Sequence, residues 1–113
     1  MKNQPIIQVD VEHELLRLVN LLEHETENFE TLAIDGATKE SAFKKVWAST
    51  YLTSDGSIRN REAMADLANS DAMYHHKLSE ALVKAKREKL LFLRTSIDAL
   101  RSLNANVRVQ TFD

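Results

Sequence analysis

The sequence predicts an all-α protein built from a few long amphipathic helices. Turn-forming residues are almost absent, because the 113 residues include only two Gly and one Pro. Ala, Leu, Glu and Lys, all strong helix formers, are plentiful. Apolar residues recur at spacings of three and four, which is the period of one helix face. We therefore expect a single helical domain over residues 1–113, with residues 1–8 as a flexible N-terminus.

The first helical segment begins near Val9 and has a wide apolar stripe, with most of its glutamates on other faces. Two interpretations of the sequence around Gly36 remain open. In the first interpretation, Gly36 ends the helix by adopting a positive φ, and Thr38 caps the next helix. Alternatively, because the apolar spacing continues through Phe43 and Trp47, Gly36 is a point of close helix approach inside one long helix.

The strongest turn signal is the Thr-Ser-Asp-Gly-Ser segment at residues 53–57, because Asp and Ser bond their own backbone and Gly tolerates a positive φ. Asn60 is expected to cap the last helix, which the periodicity extends over about residues 60–103. We expect fraying near 104–106, so that residues 104–113 fray or extend. Such a helix would be about 65 Å long, against about 26 Å for the diameter of a compact domain of this size.

These lengths predict an elongated antiparallel helical hairpin of two or three helices. Two helices cannot cover wide apolar stripes, so we also expect assembly into a helical oligomer. The positions expected in the core or the oligomer interface are Leu15, Leu18, Leu22, Phe29, Leu32, Phe43, Trp47, Leu67, Tyr74, Leu78, Leu82, Phe92, Leu93 and Leu100.

Nothing in the sequence predicts catalysis, a cofactor or a metal site. The chain has no Cys and no glycine-rich phosphate loop. His13 and His24 are about three helical turns apart, and the adjacent His75 and His76 point about 100° apart on a helix. The chain also lacks a leader-like N-terminus and an apolar run of about 18 residues, so we expect a cytoplasmic protein that does not enter membranes.

The charges are segregated along the chain despite a formal net charge of −2. Residues 1–43 contain three basic and nine acidic residues, whereas residues 84–113 contain seven basic and three acidic residues. Spaced cations along a helix suit a phosphodiester backbone, although such residues are also ordinary on solvated helix faces. The candidate nucleic-acid contacts are Lys44, Lys45, Lys77, Lys84, Lys86, Arg87, Lys89 and Arg94. Trp47 and Tyr51, near the first two lysines, suit either base stacking or a core.

The layout of residues 38–108 resembles that of the UvsY-type recombination mediators of T-even phages and related small phage proteins. The shared features are an Ala-Phe-Lys-Lys-Val segment at 42–46, the Gly-containing turn at 53–57 and the long helix that follows it. That helix contains Ala-Asn-Ser-Asp at 68–71 and Ile-Asp-Ala-Leu-Arg-Ser-Leu at 97–103.

The resemblance implies a non-enzymatic oligomer, in the cytoplasm of a bacterial host, that binds single-stranded DNA. It also implies help in loading a RecA-type recombinase against a single-strand-binding protein, with Lys44 and Lys45 at the DNA contact. The segment after Val46 departs from the basic family pattern and reads Trp-Ala-Ser-Thr-Tyr. The alternatives are a protein-binding module, such as a phage inhibitor of a host enzyme or defence system, and a structural adaptor whose helices only assemble.

Overall fold

The computed structural model describes residues 7–112, with side chains through residue 109. Helix α1 is Gln8–Thr53, α2 is Ile58–Ala68 and α3 is Ser70–Phe112. The described part of the chain contains no strand, so the predicted all-α class with two or three helices is confirmed. The predicted flexible N-terminus lies almost wholly outside the described residues.

Helix α1 is continuous through Gly36, so the break considered there is wrong and the close-approach interpretation is confirmed. A Cβ placed on Gly36 would lie 3.1 Å from Ser79 Oγ and 3.7 Å from Val83 Cγ2. The absence of a side chain therefore lets α1 and α3 approach closely at this position. Helix α1 has 46 residues.

The turn after α1 lies where the sequence predicts it. Gly56 has a φ of +102°, a left-handed conformation that a residue with a Cβ rarely adopts. Ser54 N donates to Thr50 O at 3.0 Å and completes the end of α1. The predicted cap at Asn60 is wrong, because Ser57 is the N-cap and its Oγ accepts from the backbone N–H of Asn60 at 3.1 Å.

The helix predicted over 60–103 is interrupted at Asn69 in the structure and continues beyond its predicted end. Asn69 separates α2 from α3, and its backbone N–H donates to Asp66 O at 3.3 Å. Its side-chain Nδ2 donates to Phe43 O of α1 at 2.9 Å, which holds the interruption in place. The predicted fraying at 104–106 is also wrong, because α3 continues to Phe112.

The contacts divide the chain into two compact units, and the single domain over 1–113 remains a prediction. Unit 1 combines Met1–Asn28 with Lys86–Asp113. Its helices run antiparallel, since Leu18 packs with Leu93 and Ile97 while Glu12 Oε1 lies 3.6 Å from Arg108 Nη2. Further leucines surround this apolar cluster: Leu15, Leu21, Leu22 and Leu100.

Unit 2, Phe29–Ala85, has smaller and more polar side chains between its helices. Its fully or almost fully buried residues are Ala65, Asn69 and Ser79. The ring of Phe43 in α1 stacks on His76 in α3, with centroids 5.5 Å apart. Trp47 Nε1 donates to Asp66 Oδ1 at 2.9 Å and joins α1 to α2.

The predicted core positions separate into two groups. Nine are buried or half-buried: Leu15, Leu18, Leu22, Phe29, Leu32, Phe43, Trp47, Leu93 and Leu100. The other five are exposed and do not belong to the core of this chain: Leu67, Tyr74, Leu78, Leu82 and Phe92. For Tyr74, Leu78 and Leu82 the reason is that α3 turns another face towards α1. Ser79 and Val83 lie against Gly36, about a third of a turn away from the expected stripe.

Replacing Ser79 with Ala should stabilise the protein. The Ser79 side chain is 3% exposed, and within the described residues its Oγ has no hydrogen-bond partner. A buried unsatisfied polar group costs about 1–3 kcal/mol, so we expect Ser79→Ala to raise the free energy of unfolding by about 1 kcal/mol. Urea denaturation followed by circular dichroism measures this change.

Ser102→Ala is the matched control, because Ser102 is exposed on the same helix. It gains only the helix propensity of Ala, a few tenths of a kcal/mol. A loss of stability in Ser79→Ala would show that the hydroxyl has a stabilising role in this packing.

Candidate nucleic-acid interface

Two of the predicted DNA-binding lysines are engaged in an ion pair inside unit 1. Glu25 of α1 accepts a hydrogen bond from Lys86 of α3, and its Oε1 lies 3.1 Å from Lys89 Nζ. Glu25 is 7% exposed, although the sequence places it among solvated glutamates. Lys86 and Lys89 therefore neutralise a carboxylate that α1 buries, and this makes them weaker candidates for a phosphate contact.

This arrangement holds Glu25 in its ionised form. The hydrogen bond from Lys86, followed by that from Lys89, lowers the pKa of Glu25, and burial opposes them with a smaller effect. A buried carboxylate that lost these partners would be left without compensation for its lost hydration. The three side chains thus link α1 to α3 at one position.

The predicted pair Lys44 and Lys45 lies on α1 in unit 2. Lys44 Nζ is 3.0 Å from Glu40 Oε1 one helical turn earlier, and the hydrogen bond from Lys44 lowers the pKa of Glu40. Both lysines line a surface depression together with Ala37, Glu40, Ser41 and Ala48. The carboxylate of Glu40 in this depression weakens its attraction for phosphate.

Other predicted cations have no ion-pair partner among residues 7–112. These are Lys45, Lys77, Lys84 and Arg94, all of them exposed. Lys77 and Lys84 lie on α3 in unit 2, seven residues and so about 10.5 Å apart along nearly the same side of the helix. Arg94 lies on α3 in unit 1, where Arg87 is also exposed.

The aromatic residues near Lys44 and Lys45 are partly used within the protein. The rings of Trp47 and Tyr51 stack with centroids 5.4 Å apart, and both side chains are half-buried. The indole N–H of Trp47 is bonded to Asp66. Trp47 therefore positions α2, and we no longer favour base stacking at this ring.

Tyr74 is a site candidate that the sequence interpretation assigned to the core or interface. Its side chain is 63% exposed on α3, three residues before Lys77. Residues three apart on a helix are neighbours on its surface. An aromatic residue three positions before a lysine was a usable signal, but the apolar spacing of Tyr74 obscured it.

Across residues 7–109, the remaining side chains show no arrangement typical of a metal site. Within the described residues, no three His, Asp or Glu side chains gather in a group that could hold a metal ion. His76 Nε2 lies 3.3 Å from Glu80 Oε2 and its ring stacks on Phe43. None of the three described helices combines the length and apolarity needed to cross a membrane.

Comparison with known proteins identifies no relative. No family model matches the chain, and no curated protein and no solved structure matches it either. The resemblance to UvsY-type mediators therefore rests on the residues quoted from the sequence alone.

Replacing Glu25 with Gln should destabilise the protein at neutral pH. The folded-state pKa of Glu25 is lowered, so its stabilisation is present above the unfolded pKa of about 4.3 and disappears as the pH falls through the folded value. We expect a lower urea midpoint for Glu25→Gln than for the unmodified protein at pH 7. The difference should shrink below the folded pKa.

Glu23→Gln is the matched control, because Glu23 is exposed on the same helix and should leave the midpoint unchanged. Equal midpoints for Glu25→Gln and the unmodified protein at pH 7 would contradict a stabilising ion pair.

Proposed function

We propose that this chain is a phage or prophage accessory protein of DNA recombination that binds single-stranded DNA without catalytic activity and aids recombinase loading. The observation that carries the DNA contact is the pair Lys77 and Lys84, exposed on α3 without a carboxylate partner among the described residues. The link to recombination and to a RecA-type recombinase rests on the resemblance of residues 38–108 alone.

Unpaired lysines bind phosphate better than paired ones. A lysine that binds DNA releases counterions from the phosphates, and this release drives binding. Lys86 and Lys89 must first leave the buried Glu25, whereas Lys77 and Lys84 have no such competitor. The structure thus favours a smaller basic surface than the sequence predicts.

Self-association is part of the same proposal. Leu67 of α2 and Leu78 and Leu82 of α3 are exposed large apolar residues of unit 2. Leu78 and Leu82 are four residues apart and so lie on one side of α3. Contiguous exposed apolar surface is typical of protein–protein contacts. A second copy of the chain would remove these leucines from water.

Salt-dependent oligonucleotide binding tests the DNA contact. We expect fluorescence polarisation to show binding of a labelled oligothymidylate that weakens steeply with salt. Each phosphate contact on single strands contributes a slope of about −0.7 to log K against log salt concentration, so Lys77→Ala with Lys84→Ala should reduce the slope by about 1.4.

The control for this pair is Arg17→Ala with Lys39→Ala, which removes the same charge from two exposed helix ion pairs, with Glu14 and Asp35. It should leave the slope nearly unchanged. Absence of binding at low salt by the unmodified protein, or equal slopes for the two double variants, would refute the proposed contact.

Light scattering tests the assembly. The unmodified protein should form an oligomer at micromolar concentration, and Leu78→Glu with Leu82→Glu should give a monomer because the charges cannot be buried without partners. Ile34→Glu is the control, since Ile34 is an exposed apolar residue on α1 of the same unit. A monomeric unmodified protein would exclude assembly.

The second candidate function is a protein-binding module such as a phage inhibitor of a host enzyme or defence system. The exposed leucines of α2 and α3 favour it as well, because they suit a foreign partner as well as a second copy. It would be preferred if the protein bound no oligonucleotide but recovered one stoichiometric partner from a nuclease-treated lysate, and if the Leu78→Glu, Leu82→Glu variant lost that partner.

A further inference from the structure

Tyr74 has an aromatic surface that the folded chain leaves open. Its side chain is 63% exposed. Its only ring contact in the described residues is a T-shaped one with His75, with centroids 5.6 Å apart and planes at 68°. A T-shaped contact covers at most one of the two ring faces, so at least one face of Tyr74 remains accessible to a ligand.

The surroundings of Tyr74 favour a ligand that is both aromatic and anionic. Viewed along the axis of α3, Tyr74 lies between Leu78 and Lys77, rotated by about 40° from Leu78 and by about 60° from Lys77. Lys84 continues the basic side two turns beyond Lys77. Two carboxylates lie nearby on α3. The Oε2 atom of Glu80 is 3.3 Å from His76 Nε2, one turn before Lys84, and Asp71 lies on the other side of Tyr74.

An aromatic ring beside spaced lysines is the combination that single-stranded nucleic acids require. Bases stack on aromatic side chains while lysines contact the backbone, and stacking tolerates any sequence because every base has a π face. A duplex cannot use such a ring in this way, since its bases already stack on one another.

We propose that Tyr74 is a stacking platform for a base of single-stranded DNA. Lys77 and Lys84, on the following turns of α3, contact phosphates of the same strand. This inference rests on the proposed function and names the residue that makes the site prefer single-stranded DNA over a polyanion without bases. It moves the aromatic part of the site from Trp47 and Tyr51 of α1 to α3.

An oligonucleotide without bases gives a direct test. Fluorescence polarisation with full-length protein compares a labelled oligothymidylate with an abasic oligomer of equal length and charge. The unmodified protein should bind the oligothymidylate more tightly. Tyr74→Ala should weaken that binding roughly fivefold or more and remove the preference over the abasic strand, with the salt slope unchanged.

Three further variants separate stacking from folding and assembly. Tyr74→Phe keeps the ring and should behave as the unmodified protein. Tyr74→Leu keeps apolar bulk for any contact between copies but has no π face, so it should bind as Tyr74→Ala does. Phe92→Ala is the matched control, because Phe92 is an aromatic residue 70% exposed on the same helix, and it should have no effect.

Each outcome decides between the two proposals. Failure of the unmodified protein to bind the oligothymidylate would refute DNA binding and the platform with it. Normal DNA binding by Tyr74→Leu, or equal weakening on both oligomers, would refute the platform alone and leave the lysine contacts standing. Loss of the base preference in Tyr74→Leu with retention in Tyr74→Phe would support it.

Discussion

The close approach of α1 and α3 in unit 2 is the constraint that determines most of this structure. Gly36 offers no side chain and Ser79 only a small one, so the two backbones come together with little apolar volume between them. The larger apolar residues of α2 and α3, such as Leu67 and Leu78, then have no place between the helices. Packing small residues inside leaves an apolar surface outside, and that surface is what the proposed assembly uses.

The fold class follows from local features, which is why the sequence predicts it well. Helix continuity depends on the scarcity of Gly and Pro, and the turn depends on Gly56. Both effects involve only residues that are close in the sequence. The face of α3 that packs against α1 cannot be predicted from local features. Periodicity shows which face of a helix is most apolar, but it does not show which face contacts a partner. In the unit 2 part of α3 the buried face includes His76 and Ser79, whereas Leu78, Leu82 and other apolar residues are exposed, so the outward face there has the stronger apolar pattern.

The candidate site could be predicted only in part, for a related reason. The sequence shows where lysines are dense, but the carboxylate that pairs with Lys86 is 61 residues away along the chain. Glu25 looks like one member of a solvated acidic face until α3 is placed against it. Pairing through tertiary contact therefore engages Lys86 and Lys89 with one carboxylate and leaves Lys77 and Lys84 without an ion-pair partner among the described residues, a difference that local sequence cannot show.

Assembly and DNA binding would depend on each other if both proposals hold. Two unpaired lysines and one stacking ring on α3 make few contacts, and a single chain would hold a strand weakly under physiological salt. Copies joined through the neighbouring leucines would present these contacts repeatedly, so that binding at one copy raises the effective concentration of the strand at the next. Because Tyr74 lies between the leucines and the lysines, the contact between copies would lie directly beside the bound strand. The affinity for DNA would then come mainly from the number of copies, and little from the strength of any one contact.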